Sequence, residues 1–259
     1  MESPLELAIA LARQAGALLM DYFRPDGIPA RQKPDRTLVT EADLAADRLI
    51  AGSIRQRFPG DAIVSEELQP ELLAPASRVW VVDPLDGTTN FSLGFPIWGV
   101  SLAYLVDGWP VAAAIHFPVL GELYSAERAS GAYLNGAPIR ARPPIPDQPA
   151  AFFSCCSRAF RHYQVDIRYK ARILGSACYT LCAVARGLAV LGFETTPKIW
   201  DLAGGWLIVQ EAAGSIETYD GVQPFPIASQ VDFRQLNYPV LAAATPELIA
   251  KAREQIKPR

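Results

Sequence analysis

Val79-Trp80-Val81-Val82-Asp83-Pro84-Leu85-Asp86-Gly87-Thr88-Thr89-Asn90-Phe91 is the stretch of this 259-residue sequence that decides its reading. Its first half is a continuous apolar run, the pattern of a strand buried on both faces, so Asp83 stands where that strand leaves the core. Two carboxylates three residues apart, with Pro84 stiffening the turn between them, face one point in space. Hard divalent cations such as magnesium take oxygen ligands of this kind. Gly87 lets the chain turn sharply, and Thr88-Thr89 opens a helix whose N–H groups are placed to hold a phosphate. The plainer reading of Asp83 to Gly87 is an ordinary turn, since Asp, Pro and Gly are turn residues. Acids at similar junctions weigh against it. Glu66-Glu67 follows a short strand at Ala62 to Ser65, and Asp201 precedes a helical pattern at Leu202 to Ala213. Taken singly, Asp201 reads as a helix N-cap, Glu66-Glu67 as a solvated pair, and Asp43 in Thr40-x-x-Asp43 as part of a capping box.

Working outward, Leu5, Ala8, Ile9, Ala12, Gly16, Leu19 and Phe23 recur at helical spacing. A loop from Pro25 to Pro34 follows. Leu38-Val39-Thr40 leads into a second helix with Ala46, Leu49, Ile50 and Ile54 on its buried stripe, stopped by Phe58-Pro59-Gly60. A strand is expected over Arg78 to Asp83. From Trp98 to Tyr133 strands are broken by turns at Asp107-Gly108 and Phe117-Pro118, with Asn135-Gly136 just beyond. The Pro-rich piece Ala141 to Pro149 marks a boundary between residues 1–150 and 151–259. Beyond it, strands around Phe152, Val190 and Val240 alternate with helical patterns at Ala177 to Arg186 and Leu202 to Ala213, which argues for an α/β layer.

Net charge is −3 with no dense block of Lys or Arg, so no nucleic-acid partner is expected. The apolar N-terminal stretch carries Glu2 and Glu6 where a signal peptide carries positive charge. An uncharged run from Gly87 to Val106 has the length of a membrane span, but Asn90, Gly94, Pro96 and Gly99 break it, so no membrane partner is expected and a cytoplasmic location is. Cys155, Cys156, Cys178 and Cys182 include no C-x-x-C pair and read as small buried hydrophobes. With only two histidines, metal chemistry must rest on carboxylates.

Lys33 to Asp43 with Leu38-Val39-Thr40, then Glu66-Glu67, Asp83 to Phe91, and Trp200-Asp201-Leu202-Ala203-Gly204 resemble the inositol monophosphatase family in order and spacing. Gly175-Ser176-Ala177 and Glu194, seven residues before Asp201, match as well. The resemblance implies an α/β (α+β) fold, the layered αβαβα sandwich of the inositol monophosphatase and fructose-1,6-bisphosphatase type. It implies one compact unit whose N-terminal half carries the metal motifs and whose C-terminal half supplies Asp201 and substrate contacts. It further implies two or three Mg2+ ions held by Glu66, Asp83, Asp86, Asp201 and the carbonyl of Leu85, with Asp83 bridging. Glu66, Asp43 and Thr88 would be catalytic, the last two orienting and deprotonating the attacking water. Substrate would meet Leu85, Asp86, Gly87, Thr88, Thr89, Gly175, Ser176, Ala177, Glu194 and Asp201.

The reaction so implied is hydrolysis of a small phosphorylated polyol or sugar, inositol monophosphate first, by a lithium-sensitive homodimer. Two cations about 4 Å apart can neutralise the phosphate, lower the pKa of water and stabilise the leaving alkoxide. Ser65, in a glycine's usual place, together with Pro84-Leu85-Asp86 resembles the branch acting on 3′-phosphoadenosine 5′-phosphate, whereas Thr89-Asn90-Phe91 favours the inositol branch. Lys198 and Ala189-Val190 also depart from the commonest pattern, so fructose bisphosphate and histidinol phosphate stay among the candidates. A haloacid-dehalogenase-type mechanism wants its two acids two apart, not three. A carboxylate-rich binding protein without catalysis is the alternative of a different class.

Overall fold

A computed structural model describes residues 2–33, 38–144 and 151–259. Pro34, the last residue of the first expected loop, and residues 145–149 of the Pro-rich piece lie outside the described residues. Capping chemistry starts both N-terminal helices. Ser3 and Glu6 close a capping box on α1 (Pro4–Tyr22), and Thr40 and Asp43 close another on α2 (Glu41–Arg57). The buried stripe of α1 is Leu7, Ala8, Leu11, Ala12, Ala15, Gly16 and Leu19; Leu5, Ile9 and Phe23 are only partly covered. On α2, Leu49 is partly exposed, while Asp43 and Asp47 join Ala46, Ile50 and Ile54 on the buried face.

Seven strands form the first sheet: β1 (Ala62–Ser65), β2 (Arg78–Asp86), β3 (Gly99–Val106), β4 (Trp109–Phe117), β5 (Glu122–Glu127), β6 (Gly131–Leu134) and β7 (Ala137–Ile139). Their spatial order is β7-β6-β5-β4-β3-β2-β1, antiparallel throughout except for the parallel β1/β2 pair. Asp107-Gly108 and Asn135-Gly136 turn between strands with positive φ at both residues, the geometry of two-residue hairpins. Along β2 the apolar run divides by parity. Trp80 and Val82 pack with α1 and α2, and Val79 and Val81 pack on the opposite side. Each such side chain contributes roughly 1.5–3 kcal/mol by leaving water.

β2 does not end at Asp83 as the sequence pattern had it. It runs on to Asp86 with a register shift against β3 between those two acids, because Pro84 has no N–H to offer the ladder. The short helix α3 (Thr88–Ser92) follows at once. The second sheet has the order β9-β8-β10-β12-β11, built from β8 (Phe152–Cys155), β9 (Lys170–Arg172), β10 (Leu191–Glu194), β11 (Ser215–Thr218) and β12 (Val240–Ala243). Helices α4 (Ala177–Ala185) and α5 (Ile199–Glu211) pack with both sheets, and α6 (Pro246–Gln255) covers the second sheet's outer face through Ile249 and Ala252. The layers therefore read α-β-α-β-α, the expected α/β sandwich. α5 begins three residues earlier than the helical pattern indicated. The uncharged run 87–106 is α3 and β3, and among the described residues no helix is long and apolar enough to cross a membrane.

Candidate active site

The irregular end of β2 gathers the acids. Asp83 is fully buried; its Oδ1 accepts the Leu85 N–H at 3.0 Å, and its Oδ2 has no hydrogen-bond partner among the described residues. The parallel β1/β2 pairing continues one step past β1, with the Glu66 N–H donating to the Val82 carbonyl at 3.2 Å, which carries Glu66 to the same strand end. Burial, followed by repulsion from Glu66, Asp201 and Asp86, pushes the Asp83 carboxyl well above its ordinary range. Asp201 responds in kind, raised to about 8 by desolvation and then by Asp86 and Glu66. Asp201 is not the N-cap that the sequence pattern made it. The cap is Lys198, and Asp201, in the first turn of α5, accepts the Lys198 N–H at 2.6 Å. The Lys198 ammonium meets the carbonyl of Arg234 at 2.5 Å.

Asp43 splits its two oxygens between two tasks. Oδ2 takes the Thr40 N–H at 2.8 Å and the Thr40 hydroxyl at 2.5 Å, and Oδ1 lies 3.1 Å from the Thr88 hydroxyl. That hydroxyl is also 3.0 Å from the Leu85 carbonyl, so one proton has two acceptors. Burial raises Asp43 to about 6 against the opposing pull of its Thr40 and Thr88 hydrogen bonds.

Asp86 ties the first half of the chain to the second. Its Oδ2 takes the Ser176 hydroxyl and its Oδ1 the Ala177 N–H at 3.1 Å, and burial raises its carboxyl to about 6 despite these donors. Glu194, at the end of β10, is buried, accepts the Thr180 hydroxyl at 2.8 Å, and is raised to about 8 first by burial and then by Asp86 and Asp201. The surface alternative for Glu194 is thereby removed. Gly87 (φ +86) leads into α3 where a Cβ would lie 3.0 Å from the Ile97 carbonyl. Gly175 (φ +75) has the Asn90 amide where its Cβ would stand, and Asn90 donates to the Ile97 and Leu174 carbonyls at 2.7 and 2.8 Å. Thr89 is exposed beside this junction. Of the predicted metal ligands, Asp83 and Asp86 bring carboxylate oxygens within 4.8 Å of each other, and Glu66 and Asp201 stand near enough for their charges to raise Asp83.

Three residues that sequence reasoning gave no role belong to the same patch. Asp47 is fully buried one turn beyond Asp43, and its Oδ2 accepts the Ser65 hydroxyl at 2.5 Å and the Leu68 N–H at 2.9 Å, bracing the turn that carries Glu66. The i, i+4 spacing from Asp43 was the available signal. Asp47→Ala is expected to lower stability by about 2 kcal/mol in urea unfolding, since the buried Ser65 hydroxyl and the partly buried Leu68 N–H lose their acceptor. Mg2+ binding should weaken about tenfold with it; unchanged values for both would remove this bracing role. Lys33 places its ammonium 2.7 Å from Glu66 and 2.6 Å from Glu67. Burial opposes that charge, but the two carboxylates outweigh it and hold the ammonium above its ordinary range. No periodicity marks such a loop residue. Cys178 is the third, with its thiol donating to the Asp201 carbonyl at 3.3 Å.

These residues fit divalent cations. Asp83 and Asp201 share one buried region, raised first by burial and then by neighbouring acids, and the fully enclosed Oδ2 of Asp83 lacks any donor. Such an arrangement is costly without positive charge inside it and suits hard ions with oxygen ligands.

Known proteins agree with that chemistry. The inositol monophosphatase family matches residues 1–257. A histidinol-phosphatase from Chlorobaculum parvum is 37% identical over 231 residues, covering 86% of this chain and 88% of that protein. The Nus factor SuhB of Escherichia coli is 34% identical over 243 residues, covering 89% and 91%. The solved structure of a Thermotoga maritima IMPase superposes with a TM-score of 0.80 at 28% identity, over 96% of this chain and 95% of that one. With the acids of β2 assembled as described, the chain belongs to the inositol monophosphatase family of metal-dependent phosphoric monoester hydrolases.

Proposed function

We propose that the protein hydrolyses inositol monophosphate in a Mg2+-dependent reaction. The observation that carries this reading is the fully buried Asp83, whose Oδ2 has no hydrogen-bond partner among the described residues and whose carboxyl feels the charges of Glu66, Asp201 and Asp86, with Glu194 buried nearby. The first half of the chain, to about residue 150, would contribute the metal ligands other than Asp201, and the second half Asp201 and the substrate wall. Glu66, Asp83, Asp86, Asp201 and the Leu85 carbonyl would hold two or three ions. Bound magnesium supplies positive charge for the phosphate and the leaving alkoxide. The Thr88 hydroxyl orients the attacking water, and as it takes the water's proton its own passes to Asp43 Oδ1. Asp43, raised to about 6, is ionised at neutral pH yet basic enough to keep that proton, which suits a general base. The N–H groups of Gly87, Thr88 and Thr89 hold phosphate oxygens. Glu194 accepts substrate hydroxyls opposite Gly175, Ser176 and Ala177. The same reading carries a cytoplasmic, lithium-sensitive homodimer.

A second substrate reading, histidinol phosphate, is favoured by the 37% identical histidinol-phosphatase. Its ammonium and imidazole would meet Glu194 as an ion pair, where inositol offers only hydroxyls. Rates on inositol monophosphate, histidinol phosphate, fructose bisphosphate and 3′-phosphoadenosine 5′-phosphate decide between them. Inositol monophosphate is expected to show the highest kcat/KM, and Glu194→Gln to raise its KM about tenfold, the loss of one charge-assisted hydrogen bond. A higher kcat/KM for histidinol phosphate overturns the inositol assignment, and no Mg2+-dependent hydrolysis of any of the four overturns the enzymatic one.

A further inference from the structure

Cys178 sits in the first turn of α4 and is fully buried. Ser176 fixes the start of that helix by accepting the Tyr179 N–H at 2.9 Å while its hydroxyl meets Asp86. This anchoring brings the side chain at 178 against the acids of β2. The Sγ of Cys178 and one carboxylate oxygen from each of Asp83 and Asp86 all lie within 4.8 Å of one another. Burial, with the Asp86, Asp83 and Asp201 charges, holds the thiol protonated, well above its ordinary value.

A buried thiol alone is usually packing. Here a separate observation points to a ligand, because the fully enclosed Asp83 side chain has an oxygen, Oδ2, with no hydrogen-bond partner among the described residues. Cys182, one turn further along α4, is equally buried and makes no part of the cluster.

We propose that Cys178 gives this cage a sulfur donor, so that it also takes a thiophilic divalent cation, Zn2+ or Cd2+, on Cys178, Asp83 and Asp86. The proposal rests on the reading of the acids of β2 as a metal site. On binding, the S–H bond is exchanged for a sulfur–metal bond and the proton leaves to solvent, with no change of oxidation state. Zinc lies about 2.3 Å from sulfur and 2.0–2.2 Å from oxygen, so its donors must come within roughly 4.5 Å of one another. Small side-chain rotations reach that from the separations found. Magnesium, which takes oxygen, leaves the thiol protonated. Soft ions therefore compete with Mg2+ for this cage and are held more tightly than carboxylates alone would hold them.

The test is a Cd2+ titration of the metal-free, full-length protein, read by the ultraviolet thiolate-to-cadmium charge-transfer band. A Cys156→Ser background removes the half-buried thiol elsewhere on the second sheet. The band is expected in that parent, retained in Cys182→Ala and lost in Cys178→Ser and Cys178→Ala, with the Cd2+ Kd raised at least about tenfold. Near-ultraviolet circular dichroism checks that both position-178 variants are folded. Cadmium NMR of the parent, whose shift separates sulfur-containing from all-oxygen coordination, reads the same point without touching position 178. Absence of the band, its survival in the position-178 variants, or an all-oxygen shift overturns the proposal. A parent that hydrolyses substrate with Mg2+ but shows no band loses only the sulfur donor, whereas one that responds to neither ion loses the metal-site reading as well.

Discussion

Asp83→Asn is expected to lower kcat/KM for Mg2+-dependent hydrolysis by at least about a thousandfold and, in the same protein, to raise the melting temperature of the metal-free form. Both effects have one cause. Asp83 is the fully buried centre of a group of acids, with Glu66, Asp201 and Asp86 all repelling its charge. In the loaded enzyme that charge binds cations, whose stabilisation of a phosphoryl transition state is worth several kcal/mol; about 4 kcal/mol corresponds to the thousandfold. In the metal-free protein the same group is desolvated and held as the acid, well above its ordinary range, while the unfolded chain would ionise it freely, so its burial costs stability. The amide keeps the shape and removes the charge. Calorimetry should show a rise of roughly 4–8 °C, the response of a chain this size to about 2 kcal/mol. A variant that lost activity and also lost stability would mean that Asp83 holds the fold together and is not a site built for a cation.

The second large effect is the pH dependence of metal-free stability. Asp43 and Asp86 are raised to about 6, Asp201 and Glu194 to about 8, and Asp83 well above its ordinary range, all chiefly by burial. Unfolded carboxylates titrate near 4. Between these values the folded protein binds more protons than the unfolded chain, so the stability contributed by these groups is fully present below about pH 4 and is lost as pH rises through 6 and then 8. The melting temperature of the EDTA-treated protein should therefore fall by at least about 5 °C from pH 5 to pH 8.5. Saturating Mg2+ should remove most of that slope, because bound cations favour the charged form of these carboxyls and offset the burial and repulsion that raised them. A metal-free melting temperature that is flat or rises over this range would show that these carboxyls are not raised in the folded state.

Much of the architecture was legible because it depends on local rules. Thr40 and Asp43 announce a capping box, Asp107-Gly108 and Asn135-Gly136 announce hairpins, and the apolar run at Val79 to Val82 announces a strand covered on both faces. The chain order of the acids, with the Asp83 to Phe91 string among them, was enough for the family. Reading failed where a residue's partner lies far along the chain. Taken locally Asp201 reads as a cap, and only the family resemblance made it a metal ligand; in the fold it stands inside α5 and its charge is felt at Asp83. Lys33 opens a stretch that matches the family but had no readable role, because its meaning depends on Glu66 and Glu67, more than thirty residues away. Cys178 was read as a small hydrophobe, which its burial fits, but its sulfur also lies among carboxylates.

By itself the sequence determined which elements form, which faces they bury, and which acids the chain has available, since periodicity, capping and turn chemistry act over a few residues. Only the tertiary structure decided that Asp43, Asp83, Cys178 and Glu194 are buried near one another with Asp201 and Glu66 partly buried at their edge, and with that the raised carboxyls of Asp43, Asp83, Glu194 and Asp201. The reason is physical: a carboxylate's charge state depends on desolvation and on neighbours a few ångströms away, and those neighbours are set by how the layers stack.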